Sequence, residues 1–373
     1  MKPRLQQLVA WTRGLPDWVV RPLALFVFTR VAIFGVTGMS LTLDPRLHRP
    51  GGPLAYPALE GLCRWDCGWF HRIAMDGYAL PNYSNFFPLF PLLGRGVHEL
   101  TGLPIPLALI LISNLCGLLG LMAVYWVFKQ ESPEVATTGT ALLAAWPFSF
   151  FHAAGYPESL MLASSAGAIA LAYRRRHLAA GAVLGLGILA RHLTVIAGVA
   201  LLVAQLRERG WRPRNFILHR DFLGLVIPLA MVGVYFAYLG VRFDDPLLFW
   251  RARSAGWGDA AWHGVLTYLG NGGWEPQIHY YVVLSLIPGV GALLLLRKPA
   301  WWILAGYAVT LMLALWSIGL MGLGRYTQAC WPAFLPLAVA LEKRPGLKAP
   351  VLIAFALVQG LFLYLHVHSY PIN

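Results

Sequence analysis

Charge is what this sequence has least of. Only 12% of its 373 residues are Asp, Glu, Lys or Arg, against roughly a quarter in an ordinary soluble domain. That scarcity excludes a soluble globular fold, because 58% of the chain is hydrophobic and apolar runs of about 20 residues recur along it. The expected class is an all-α polytopic membrane protein. Acidic residues are the rarest charges, 16 against 29 basic ones, which leaves a net charge of +13. Nucleic-acid binding does not follow, since the basic residues sit in short loops between spans, where they report topology. No soluble domain, internal repeat or nucleotide-binding motif is visible. No cleavable signal is evident, because the first apolar run, from about Trp18 to Leu43, is too long and lacks a small-residue cleavage site.

Spans are expected near 18–42, 104–128, 134–151, 157–173, 178–190, 192–206, 221–240, 277–296, 300–319, 326–341 and 349–367, about eleven in all. Basic clusters mark one side: Lys2, Arg4 and Arg13; Lys129; Arg174 to Arg176; Arg207 to Arg220; Arg297 and Lys298; Lys343 to Lys348. The positive-inside rule places that side, and the N-terminus, in the cytoplasm. Two longer stretches, about 43–103 and 241–276, then lie outside. Residues 86–102, with Pro88 and Pro91 early, read as a surface-lying or re-entrant segment. Residues 178–206 have basic flanks on both sides, so the chain must reverse near Arg191 and His192. Arg greatly outnumbers Lys and Ala, Gly and Leu abound, which points to a GC-rich, prokaryotic genome and hence a prokaryotic plasma membrane.

Ionisable residues at membrane depth are costly and mark function by default. Topology gathers several on the outer side: Asp66 and Asp76, Glu158, Arg191 and Arg325. A carboxylate such as Asp66 can orient and deprotonate a hydroxyl. Arginines such as Arg191 and Arg325 suit a phosphate, because the guanidinium donates in a fork and stays charged. Aromatic residues beside a carboxylate, here Trp65, Trp69 and Tyr78 with Trp257 on the second outer stretch, make platforms for sugar rings. Together these groups fit transfer of a sugar from a lipid phosphate.

Plainer readings stand beside these. Asp66 can pair with Arg64 or Arg72, Asp76 before Gly77 can end a helix, and Glu158 after Pro157 can be a first-turn acid on a helix dipole. Arg325 can snorkel to the interface, Arg30 in the first span must face protein or a cavity, and His71 and His263 are more often structural. Cys63, Cys67 and His71 recur at intervals of four, a stripe compatible with zinc ligands, with a disulfide permitted on the outer side, or with two small buried thiols. No fourth zinc ligand is apparent. Cys116 and Cys330 read as core residues.

The stretch "RWDCGWFHRIAMDGY" (64–78), followed by "NFFPLFPLL" (85–93), resembles the signature of the PIG-V mannosyltransferase family. Arg64, Trp65, Asp66, Phe70, Ile73, Ala74, Gly77, Tyr78, Phe86, Phe87, Pro88 and Pro91 carry the match. "YPESL" (156–160), "ARHLT" (190–194) and "GRYTQACWPAF" (324–334) are similar and in the expected order. Cys67 stands where the family usually has Ala. The resemblance implies a GT-C glycosyltransferase fold in a single domain over 1–373, with outer-side amphipathic helices. It implies inverting transfer of a sugar, here mannose, from a polyprenyl-phosphate donor to a lipid-linked or glycan acceptor on the non-cytoplasmic face. Asp66 maps onto the motif aspartate, the expected general base. Arg191 and Arg325, aided by Arg30, are the expected donor-phosphate ligands, with Arg64, Asp76, Glu158 and His71 supporting. No cofactor is required, and a divalent metal is not indicated. The partners expected are donor, acceptor and bilayer, without nucleic acid. Two rival classes are a lipid-linked-sugar transporter or flippase, which calls for broken helices in two symmetric halves, and a non-catalytic binding partner of a glycosylation complex.

Overall fold

The computed structural model describes residues 14–44, 57–257, 264–272, 276–318, 320–370 and 372. Among these residues the chain is built of helices, without strands. The longer ones are α1 (Asp17–Leu43), α2 (Asp66–Asp76), α3 (Leu89–Thr101), α4 (Ile105–Glu131), α5 (Ala136–Ala145), α6 (Glu158–Tyr173) and α7 (His177–Ala190). They continue as α8 (Gly198–Glu208), α9 (Leu223–Phe243), α10 (Leu248–Trp257), α11 (Pro276–Leu295), α12 (Trp302–Ile318), α13 (Phe334–Glu342) and α14 (Pro345–Val367).

Six of them, α1, α4, α9, α11, α12 and α14, are long and apolar enough to cross a membrane, and α6 and α7 are shorter apolar helices. The chain is an integral membrane protein. α4 packs on α6, α6 on α7 and α7 on α9, while α8 packs on α12. The α7–α9 crossing is made close by glycine: a Cβ on Gly181 would meet the Gly224 carbonyl at 2.1 Å. Small residues permit such backbone approach where lipid offers no hydrophobic drive to association.

Two expected spans are interrupted. In 134–151 the helix stops at Ala145 before Pro147, and the chain continues as a single 3₁₀ turn, Ser149–His152. In 326–341 only Phe334–Glu342 is a sustained helix. It follows short turns at Leu323–Tyr326, Thr327–Ala329 and Trp331–Ala333, with Pro332 inside the last. A proline removes a backbone donor and clashes with the preceding turn, so both breaks have a local cause. A third break lies at Arg191, whose extended backbone (φ −151°, ψ 117°) separates α7 from the 3₁₀ turn His192–Ala197. Non-helical backbone is tolerated at membrane depth only where protein or a cavity surrounds it. All three breaks converge on one place.

α3 accounts for 86–102. It buries Phe90, Pro91 and Gly94, packs on α4, and leaves Leu92, Leu93 and Leu100 exposed. Within 241–276, α10 packs against the turn Pro81–Asn85. His263 lies outside the described residues.

Candidate active site

Arg191 and Arg325, from two of the breaks, meet Glu158 at the start of α6 and Asp66 at the first turn of α2. Arg325 Nη1 donates to Asp66 Oδ2 at 2.8 Å, and Arg325 Nε lies 3.2 Å from Glu158 Oε1. Arg191 Nη2 approaches the same Glu158 oxygen at 3.5 Å. The Tyr326 hydroxyl accepts from Arg191 in a short contact and from Arg325 Nη2 at 3.3 Å. Asp66, Glu158, Arg191 and Arg325 are therefore one cluster, though Asp66 and Arg325 stand 259 positions apart. Asp66 pairs with Arg325 rather than with Arg64 or Arg72.

Burial grades across the cluster. The Glu158 side chain is 2% exposed, Arg325 8% and Arg191 9%, but Asp66 is 25% exposed. Glu158 is a sealed counter-charge between two guanidiniums. Asp66 is the group an incoming molecule can reach. Burying such charges is tolerable because each has a partner.

The turn carrying Asp66 is held from behind. The Tyr156 hydroxyl donates to the Arg64 carbonyl at 2.9 Å and accepts from the Asp66 N–H at 3.2 Å. Ser113 Oγ in turn donates to the Tyr156 carbonyl at 2.8 Å. Trp65, between the two clamped residues, has φ +50°, a conformation side-chain-bearing residues rarely adopt, costing on the order of 1–3 kcal/mol. Its ring is 45% exposed beside Asp66.

Cys63 and Cys67 form a disulfide. The thiol-pair and zinc-ligand readings both give way to it, because Cys63 precedes α2 and only Cys67 and His71 lie on that helix. Among the described residues no group of three or more His, Cys, Asp or Glu is placed to hold a metal ion.

Other expected participants lie elsewhere. Arg30 donates to Asn114 Oδ1 at 2.8 Å and to the His152 carbonyl at 2.9 Å, so those hydrogen bonds tie α1 to α4 and to the turn after α5. Arg64 is buried and lies 3.7 Å from Glu60. Asp76 is exposed at the C-terminal end of α2, before Gly77 at φ +66°. His71 is half-buried on α2, and burial, against the Asp76 charge and with that of Arg72, lowers its pKa below 6.5. Of the ring platforms, Trp69 is stacked on Phe86, with the Arg72 guanidinium 5.3 Å over it. Tyr78 is buried, donating to the Phe86 carbonyl and packed on Tyr235 and Tyr238. Both rings pack on neighbouring aromatic rings. Trp257 ends α10, and its side chain lies outside the described residues.

Sequence reasoning missed Tyr156, Tyr326 and Arg253. Arg253, on α10, is within electrostatic reach of Tyr326, Arg191 and Arg325, and burial together with those two cations lowers its pKa despite Tyr326. It lines a cleft of about 420 Å³ together with Tyr326, His192 and a wall of apolar side chains that includes Ile188, Val232 and Phe236. The cleft is greasy along its length and cationic where it meets the cluster.

No known protein-family profile matches the chain. In sequence it is 29% identical over 206 residues to GPI alpha-1,6-mannosyltransferase 2 of Mus musculus, a match covering 51% of this chain and 38% of that protein. In fold it is similar to the oligosaccharyltransferase of Archaeoglobus fulgidus tethered with an acceptor peptide containing the NVT sequon (TM-score 0.50, 14% identity, 94% of this chain and 55% of that one). The apo form of that enzyme gives TM-score 0.50 at 12% identity, over 94% and 56% of the two chains. The chain thus spans well under two thirds of the length of each. It has the GT-C fold of membrane glycosyltransferases, and in sequence it resembles the PIG-V mannosyltransferases.

Proposed function

We propose that this chain is an inverting glycosyltransferase that moves mannose from a polyprenyl phosphate to a hydroxyl of a lipid-linked or glycan acceptor. The observation that carries the reading is an apolar cleft that ends at Arg253 and Tyr326, next to the Arg325 that holds the partly exposed carboxylate of Asp66. The resemblance to a mannosyltransferase supports the sugar, and the cleft supports a lipid donor. The isoprenoid chain lies along Ile188, Val232 and Phe236, where burial contributes about 25 cal/mol per Å². The phosphate sits at Arg253, with Arg191 and Arg325 behind it. Arg253 lines the cleft itself, whereas Arg191 and Arg325 do not, so Arg253 makes the first contact with phosphate.

Asp66 takes the proton of the acceptor hydroxyl as that oxygen attacks the anomeric carbon. The bond from that carbon to the phosphate oxygen breaks, and its electron pair leaves with the polyprenyl phosphate. Fixed guanidinium charge stabilises the leaving group without reorganising during the reaction. Attack opposite the leaving group inverts the centre, so a β-linked donor yields an α-linked product. Trp65 offers its exposed ring to the sugar. The positive-inside pattern supports a site on the non-cytoplasmic face, and the composition supports a prokaryotic plasma membrane.

The experiment is donor competition. Purified protein is given labelled mannose either on polyprenyl phosphate or on a nucleoside diphosphate, with a membrane extract as acceptor. Label is expected to move from the lipid donor only. Transfer from the nucleotide donor, or from neither, overturns the reading.

A further inference from the structure

The disulfide encloses the turn that presents Asp66. Cys63 and Cys67 are four residues apart with Cα atoms 5.1 Å from each other, and Arg64, Trp65 and Asp66 are the residues between them. Within this loop Trp65 holds its positive φ, and α2 begins directly after it at Asp66. Cys67 is buried and Cys63 is half-exposed. A second segment of the site is shaped to receive the bond. The Gly155 N–H donates to the Leu62 carbonyl at 2.9 Å, and a Cβ on Gly155 would meet Cys67 Sγ at 2.6 Å. Tyr156, the next residue, clamps the backbone on both sides of Trp65.

We infer that the Cys63–Cys67 disulfide is a positioning brace that holds Asp66 toward Arg325, so that transfer requires the oxidised pair. The inference rests on the reading of Asp66 as the acceptor base. A rarely adopted backbone conformation persists only where its surroundings over-determine it. Here the surroundings are one covalent bond and the Tyr156 clamp. A dithiol reductant delivers two electrons and two protons, converting the bond to two thiols while the reductant becomes a disulfide. The loop is then free to relax at Trp65, and Asp66 moves with it. Disulfides form and persist chiefly in oxidising compartments, which agrees with a site on the non-cytoplasmic face.

The test begins with thiol counting on the denatured, detergent-purified protein. Two reactive thiols per chain are expected, from Cys116 and Cys330, rising to four after reduction. Folded protein is then reduced with a dithiol, and amide exchange across 62–68 is followed together with transfer. Exchange is expected to rise and turnover to fall about 10-fold or more, because a 1 Å misplacement of a reacting group can cost on the order of 100-fold. Reoxidation restores both. The double variant Cys63→Ala, Cys67→Ala should behave like reduced protein in either condition. Four thiols without reduction, or exchange and turnover unchanged by reduction, overturn the brace. Faster exchange with unchanged turnover overturns its link to Asp66. No turnover even when oxidised refutes the transfer reading instead, and exchange, which needs no substrate, still decides the brace.

Discussion

Asp66 and Glu158 contact the same arginine, but burial divides their work. Asp66 is the more exposed, and in the proposed reaction it receives the acceptor hydroxyl's proton. Asp66→Asn should lower turnover by about 10²–10⁴-fold, the range typical of a positioned base, with the fold intact by circular dichroism. Glu158 is sealed between Arg191 and Arg325. Glu158→Gln leaves two buried guanidiniums short of a counter-charge and should cost about 3 kcal/mol of stability, read as a lowered unfolding midpoint in detergent. His71 gives a pH signature. Its pKa is lower folded than unfolded, so below about 6.5 the unfolded chain binds the extra proton and the native state loses stability as pH falls. His71→Gln should flatten that part of the stability profile. Asp66, Glu158, Arg191 and Arg325 were legible in the sequence because charge in an apolar chain is costly and therefore conspicuous. Arg253 was not, since it sits beside Arg251 in a polar stretch where one more arginine means nothing. Trp69 and Tyr78 are ambiguous for the opposite reason: an aromatic ring next to a carboxylate reads alike whether it packs or binds.

The elements place the site by breaking. α7 stops at Ala190, the helix after Pro157 starts at Glu158, and the segment before α13 is a string of short turns through Arg325. The long helices could be read from hydropathy alone, because length and apolarity suffice. The break near Arg191 was anticipated from charge on both flanks. The interruptions of 134–151 and 326–341 were not, since apolar composition continues through Pro147 and Pro332 while the backbone does not. The cleft also depends on an element surface. Gly233 of α9 lines it, and an added Cβ there meets nothing within 4 Å. Gly233→Phe therefore puts a ring into the cleft without displacing the helix. The Michaelis constant for a long-chain donor should rise roughly tenfold, about 1.4 kcal/mol, the burial of about two methylene groups. A donor with a very short chain should be little affected. An unchanged long-chain constant would remove the lipid from this cleft.

At the scale of the whole molecule the site belongs to one face. The distribution of Lys and Arg predicts that this face lies outside, and labelling can check it. Leu100→Cys on α3 and Arg176→Cys between α6 and α7 are both exposed positions. A membrane-impermeant maleimide should modify the first in intact cells and the second only after permeabilisation. The reverse pattern would turn the molecule over and put Asp66 in the cytoplasm.

The most direct measurement is release of free polyprenyl phosphate from polyprenyl-phosphate mannose, with acceptor present, by wild type and by Asp66→Asn side by side. The account predicts release by wild type and a loss of at least about 100-fold in the variant. Equal release by both would contradict it.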